Sequence, residues 1–369
     1  LLKKLTFYVS TAGNDTWSGK LPEPNADRTD GPLRTLTAAR DRLREIESKD
    51  RDYLVLIRGG NYVLDETVVF GLEDGTQYGG YYGRIYKITY AAYPKDQPVF
   101  TSGVPIRGWK KLHDHPANFS EKAKGKVWVA DVPEGLGRFF TLYDGTTRLP
   151  RARSEAFWSG GRERDIPNVE VKGDPYRTML FPKGKLKAWS NLEDVEVVIR
   201  TRGWTMNILP LESVDEKTGI ATTTIPSSYA LRPRSRPSAF VENVLEALDS
   251  PGEWVLNTQE RKLYFWPMGD TPGDGIVAPR LRELIKVEGN VNHNRPSDMP
   301  VYGLVFRGLT FTHGDRDLWT ENDAAIQHDW EMIDKANGLI RFRGAEECAV
   351  ENCTFTNSGG AAIRLDLHC

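Results

Sequence analysis

Two short runs near the C-terminal end alternate apolar with ionisable residues. Leu339-Ile340-Arg341-Phe342-Arg343 is echoed by Ala362-Ile363-Arg364-Leu365-Asp366, which puts Ile340 and Ile363 23 residues apart (363 − 340). Side chains alternate faces along a strand. With Ile340, Phe342, Ile363, Leu365 and Leu367 turned inward, Arg341, Arg343, Arg364, Asp366 and His368 face outward. Stacked coils lie about 4.8 Å apart, so this spacing sets Arg364 over Arg341 and Asp366 over Arg343. The second pair is an ion pair worth about 0–1 kcal/mol at a surface. The first sets two cations together, which calls for an anion, a carboxylate or abundant water. Two readings stand side by side: a solvated charged face, or the floor of a groove for a sugar chain. In the second, Asp366 is an acid or base and Arg341, Arg364 and His368 bind substrate. Glycoside hydrolysis uses two carboxyl groups, roughly 5–5.5 Å apart for retention and 6.5–9.5 Å for inversion. Asp366 supplies one, and further coils are expected to supply the other.

A second chemical cluster occupies 312–334. It contains His313, Asp315, Asp317, Trp319, Glu321, Asp323, His328, Asp329 and Trp330. Long loops at the rim of a scaffold carry binding residues, and a flat Trp face matches a pyranose ring. His313 and Trp319 are the sugar-contacting candidates, against the plainer reading of a solvated acidic loop. Asp315-Arg316-Asp317 is a candidate for part of a Ca²⁺ shell, without the ligand spacing of a known calcium loop. Arg151 and Arg153 flank Ala152 and point the same way if extended, either to pair with acids or to bind an acidic sugar. The chain has no Gly-rich phosphate loop, no G-x-S-x-G and no H-E-x-x-H. Nucleotide, serine-hydrolase and zinc-protease readings therefore gain no support.

Composition narrows the classes further. Net charge is −2 over 369 residues, which gives a polyanion no attraction, so no nucleic-acid partner is expected. There is no apolar run long enough for a membrane-spanning helix. Leu1-Leu2-Lys3-Lys4 is too short for a signal peptide and no initiator Met precedes it, so the start is expected to be trimmed. Cys348, Cys353 and Cys369 are the three cysteines. An odd number at these spacings argues against a disulfide framework and against a zinc site, and they read as small buried hydrophobes. No cofactor or metal is expected, apart from the Ca²⁺ alternative.

The elements that would position these groups are mostly strands. Residues 6–10, 54–57, 63–70, 85–93 and 99–101 read as short strands. The run Leu54-Val55-Leu56-Ile57 suits a parallel strand buried on both faces. Leu36, Ala39, Leu43 and Ile46 share one face of a helix that starts near Thr35 and is suited to cover the open end of a stack. The texture changes at about Gly108. Seven of the ten tryptophans lie between Trp109 and Trp266, 194–201 reads as a strand, and 253–256 with 263–266 makes a hairpin. The stacked texture returns near Leu284. Leu309-Thr310-Phe311-Thr312 is echoed by Cys353-Thr354-Phe355-Thr356, 44 residues on (355 − 311), close to two 23-residue periods. Short β runs at such spacings mark coils that cannot bury their apolar faces alone. The expected organisation is all-β: a right-handed parallel β-helix, a single-stranded solenoid with an N-terminal helix cap, interrupted by an antiparallel β-rich insertion. The boundaries are 1–107 for cap and first coils, 108–280 for the insertion, and 281–369 for continuing coils. The last coil has no cap, so the chain is expected to be the front part of a longer protein.

Particular motifs carry a family resemblance. Phe7-Tyr8-Val9-Ser10 with Gly13-Asn14-Asp15, then Pro32-Leu33-Arg34-Thr35-Leu36, resemble right-handed parallel β-helix proteins of the pectate-lyase-like class. Arg151-Ala152-Arg153-Ser154, Phe240-Val241-Glu242-Asn243, Pro251-Gly252-Glu253-Trp254, Leu263-Tyr264-Phe265-Trp266-Pro267 and Gly308-Leu309-Thr310-Phe311 together are similar to glycoside hydrolase family 141 and its close relatives. The resemblance covers nearly the whole chain. It implies a polysaccharide substrate of the plant cell wall, xylan or a fucosylated pectic glycan, hydrolysed by two carboxylates on coils beyond residue 369. It also implies an extracellular or periplasmic location and, at full length, a monomer. A polysaccharide lyase acting on uronate polymers is the alternative enzyme, because the Arg341/Arg364 stack suits a uronate. A non-catalytic glycan-binding module is the third possibility, since one fold hosts all three.

Overall fold

The computed structural model describes residues 5–46, 51–76, 86–116, 119–159, 173–231, 237–292, 296–318, 325–326 and 335–369. The contacts divide the chain into two compact units, one comprising 1–104, 278–317 and 334–369 and the other 105–277 and 318–333. The architecture is all-β with one α-helix among the described residues.

In the first unit, strands are dealt in rotation to three sheets, each parallel throughout. The first sheet runs Leu5–Val9, Tyr53–Ile57, Ile88–Ala92, Leu304–Arg307, Ala349–Glu351. The second runs Gly60–Val63, Pro98–Thr101, Thr310–Gly314, Thr354–Ser358. The third runs Val68–Phe70, Ile285–Glu288, Gly338–Arg343, Ala361–Leu365. The residues turned inward form one core that includes Val9, Val55, Phe70, Tyr90, Phe100, Ile285, Phe306, Phe311 and Ile340. In the second sheet the inward positions stack as an aromatic ladder. Ring centroids are 5.1 Å apart for Tyr62 and Phe100, 5.6 Å for Phe100 and Phe311, and 5.4 Å for Phe311 and Phe355. Each such pair adds about 0.5–1.5 kcal/mol beyond its buried area.

The helix Leu36–Arg44 begins where expected. Thr35 Oγ1 accepts from Ala38 N at 3.1 Å, satisfying one of the donors that a helix start leaves unpaired. Asp15 holds Arg34 N and Thr35 N at 2.7 and 2.9 Å, which fixes the approach. Leu36, Ala39 and Leu43 join the core of the first unit.

Three expectations change in detail. The expected strand 63–70 is two strands, because the chain turns at Leu64-Asp65-Glu66-Thr67 to pass from the second sheet to the third. The apolar strand Tyr53–Ile57 is fully buried on one face only, since Leu54 and Leu56 stay partly exposed on the other. The 44-residue echo is one step of the stack, not two. Phe311 pairs directly with Phe355, and the chain between them is long because 318–333 belongs to the second unit.

The second unit is antiparallel. Glu196–Arg202 lies between Thr205–Asp215 and Ala239–Glu242, and Ile220–Thr223 and Thr178–Leu180 extend that sheet. Trp254–Asn257 pairs with Lys262–Phe265 as the expected hairpin, with Trp254 opposite Phe265, and Trp128–Asp131 adds to it. Arg151 is buried here. Its Nη1 lies 2.5 Å from Glu196 Oε2 and 3.5 Å from Glu242 Oε2, and its guanidinium sits 5.9 Å from the Trp254 ring centre. Of its two sequence readings, pairing with acids is the one the geometry displays.

Candidate functional site

The third sheet assembles the charged residues of the first unit. Ile340 pairs with Ile363 and Arg341 with Arg364, so the 23-residue recurrence does stack the two arginines. Asp366 departs from the expected position over Arg343. Its backbone N–H donates to Phe342 O at 2.7 Å, and its carboxylate turns toward the arginine column. Arg364 Nε and Nη2 donate to it at 3.0 and 3.2 Å, and Arg341 Nη1 lies 3.5 Å from Oδ2. The carboxylate that two stacked cations require is Asp366 itself.

A second carboxyl completes the cluster. Glu283 lies just before a third-sheet strand, Ile285–Glu288, and the backbone on either side of its carbonyl is held. Thr67 Oγ1 donates to Glu283 O at 2.7 Å, and Leu284 N donates to Leu339 O at 2.9 Å. Its Oε1 lies 2.5 Å from Arg341 Nε. Burial pushes the Glu283 carboxyl up to about 7, outweighing the pull of Arg341 and Lys286, and Asp317 adds to the rise. The side chains of Glu283, Arg341 and Asp366 are 8%, 6% and 5% exposed. Two carboxyls thus share one guanidinium, and burial holds the Glu283 carboxyl above the ordinary carboxylate range. Strong desolvation plus a specific charge partner is a signature of functional carboxyls as well as of structural ones.

Sequence reasoning missed Glu283. The available signal was the pattern Leu284-Ile285-Lys286-Val287, which matches Leu339-Ile340-Arg341-Phe342 and pairs with it in register. That alignment brings Lys286 beside Arg341 and Glu283 to the base of the column.

His313, Asp315, Arg316, Asp317 and His368 also lie in the first unit. His313 has φ +59° and uses both ring nitrogens within the protein. Nδ1 is 2.9 Å from Thr101 Oγ1 and Nε2 is 3.1 Å from Asn357 Nδ2, and burial lowers its proton affinity. His368 bridges two acids, with Nδ1 3.1 Å from Asp298 Oδ2 and Nε2 2.8 Å from Glu346 Oε1. Glu346 above all, then Asp298, raises its proton affinity against burial. Asp315, Arg316 and Asp317 are buried, and Asp317 accepts from Arg282 at 2.7 Å. Among the described residues, no group of three or more His, Cys, Asp or Glu is placed to hold a metal ion. Trp319, with Glu321, Asp323, His328, Asp329 and Trp330, lies outside the described residues. Cys348 and Cys353 pack against the core, and burial raises the Cys348 thiol to about 11. Cys369 is exposed, against the expectation of a buried residue, because it lies beyond the strand Ala361–Leu365. No helix among the described residues is long and apolar enough to cross a membrane.

Comparison with known proteins gives a fold likeness. No family model matches the chain, and no curated protein does. A solved structure described as a glycoside hydrolase aligns over 97% of this chain with a TM-score of 0.65 and 21% identity. The two share a fold, and this chain spans 63% of that protein's length. A second solved structure, the complex of XylC with xylose, aligns over 95% of this chain and 40% of its own, with a TM-score of 0.40 and 13% identity. A likeness that distant bears on neither fold nor function.

Proposed function

We propose that this chain belongs to a right-handed parallel β-helix protein of the family 141 kind that hydrolyses a plant cell-wall polysaccharide, xylan or a fucosylated pectic glycan. The three parallel sheets filled in rotation support the fold reading. The likeness to a solved glycoside hydrolase supports the reaction class. The observation that carries the mechanism is the pair Glu283 and Asp366 on Arg341. A carboxyl raised to about 7 is matched to general-acid work near neutrality. Glu283 is the acid that protonates the leaving glycosidic oxygen. Asp366, held by two guanidinium groups, is the anionic partner that acts as nucleophile or as base toward water. Arg341 fixes the carboxyls relative to each other.

The lyase alternative needs a cation for the uronate carboxylate. Arg341 and Arg364 are both engaged by Glu283 or Asp366, which favours hydrolysis. The test is release of reducing ends from xylan and from fucosylated glycans, with ultraviolet absorbance followed in parallel on uronate polymers. Glu283→Gln and Asp366→Asn should each lower kcat by roughly 10²–10⁴-fold. Undiminished hydrolysis in both variants would remove these residues from the mechanism. An unsaturated, absorbing product would establish elimination instead, and binding without product would establish a glycan-binding module.

A further inference from the structure

The second unit contains an open cleft of about 620 Å³, within the size range of small-molecule sites, and the hydrolytic mechanism gives it no task. Two aromatic side chains line it, Trp189 and Phe240, both half-buried. Trp189 is pinned by its edge. The indole Nε1–H donates to Glu246 Oε1 and Oε2 at 3.0 and 3.1 Å, and Lys187 Nζ donates to the same carboxylate at 3.0 Å. Phe240 sits on the strand Ala239–Glu242 and lies 5.3 Å from the Arg153 guanidinium. Glu253 is fixed by the backbone N–H groups of Asp249 and Ser250 at 2.8 and 3.1 Å.

The charge in the cleft is mixed and largely spent internally. Three cations and four carboxyls line it. Lys187 pairs with Glu246, and Asp249 pairs with Lys122. Such a wall creates no single-sign field, so neither a polyanion nor a polycation is its natural ligand. An apolar peptide segment would leave the polar groups unpaired, at a cost. A sugar fits both features. Its hydroxyls donate and accept in turn, as these side chains require, and its flat C–H face matches an aromatic ring. A ring held in place before binding loses little entropy on contact.

We propose that this cleft is a glycan subsite of the second unit that takes a neutral oligosaccharide, with Trp189 and Phe240 as stacking platforms and Arg153, Lys185 and Glu253 as hydroxyl partners. The choice of a glycan rests on the carbohydrate reading of the whole protein, while the site and its neutral ligand rest on the cleft. Titration calorimetry with xylohexaose, and with a galacturonate hexamer as the charged control, tests it. The protein should bind xylohexaose in preference to the galacturonate hexamer. Trp189→Ala should weaken binding at least about tenfold, the size of a typical aromatic anchor. Phe240→Leu keeps an apolar side chain on that strand, removes the flat ring, and should weaken binding similarly in a folded protein. Both variants should still hydrolyse a short aryl glycoside at the wild-type rate. Wild-type affinity in both variants, or equal affinity for the galacturonate hexamer, would overturn the proposal. The two readings separate cleanly. Binding that depends on Trp189 in a protein without hydrolysis leaves this subsite standing and removes the catalytic reading. Hydrolysis that depends on Glu283, with binding indifferent to Trp189 and Phe240, does the reverse.

Discussion

Glu283 makes stability depend on pH. Its folded-state carboxyl is raised from the ordinary 4.5 to about 7, so between those values the folded protein binds a proton that the unfolded chain releases. Stability therefore falls as pH rises through that window, by an amount on the order of 3 kcal/mol for a shift of this size. Glu283→Gln cannot ionise and should flatten this part of the profile, giving a protein more stable than wild type at pH 8 in urea unfolding. A profile that falls as steeply in the variant would mean that another group is responsible. His368 gives a slope of the same sign for a different reason, since its charged form is the one the fold favours. Its proton affinity is raised by Glu346 and Asp298, so its contribution is fully present below the ordinary histidine range and is lost as pH rises through the raised value. His368→Gln should thus destabilise at pH 5.5 and have little effect at pH 9, as thermal unfolding at the two pH values would show. Arg341, Arg364 and Asp366 were legible in the sequence because their spacing repeats. Glu283 was not, because its meaning depends on burial and on an arginine far along the chain. The ion pair expected between Asp366 and Arg343 gave way to contacts with Arg341 and Arg364, because Asp366 lies past the end of the strand Ala361–Leu365, where alternation no longer governs.

At the scale of elements, each strand of a parallel sheet depends on the strands beside it. Phe311 is fully buried between Phe100 and Phe355. Phe311→Ala should cost about 3–5 kcal/mol, measured by chemical denaturation. A loss below about 1 kcal/mol would mean that the ladder collapses around the gap. The helix Leu36–Arg44 and the hairpin 254–265 were legible because each rests on local rules, capping and apolar spacing in one and alternation around a short turn in the other. The break within 63–70 was not, because Leu64-Asp65-Glu66-Thr67 contains neither Gly nor Pro, and what bends the chain there is the next sheet.

At the scale of the molecule, the first unit is built from non-local parallel pairing and the second from antiparallel neighbours. The 23-residue echo made the parallel pairing of Gly338–Arg343 with Ala361–Leu365 readable. The 44-residue echo misled on period because sequence distance counts chain that leaves the stack, and no local feature reveals where it goes. The two carboxyls on Arg341 make one proposal central, that Glu283 is a proton donor to a glycosidic bond. The most direct test is the pH dependence of kcat/KM for xylan hydrolysis in wild type and in Glu283→Gln. The account predicts a wild-type profile that falls on the alkaline side near pH 7, and a variant that is weakly active and lacks that limb. A variant with the wild-type rate and the same alkaline limb would contradict it.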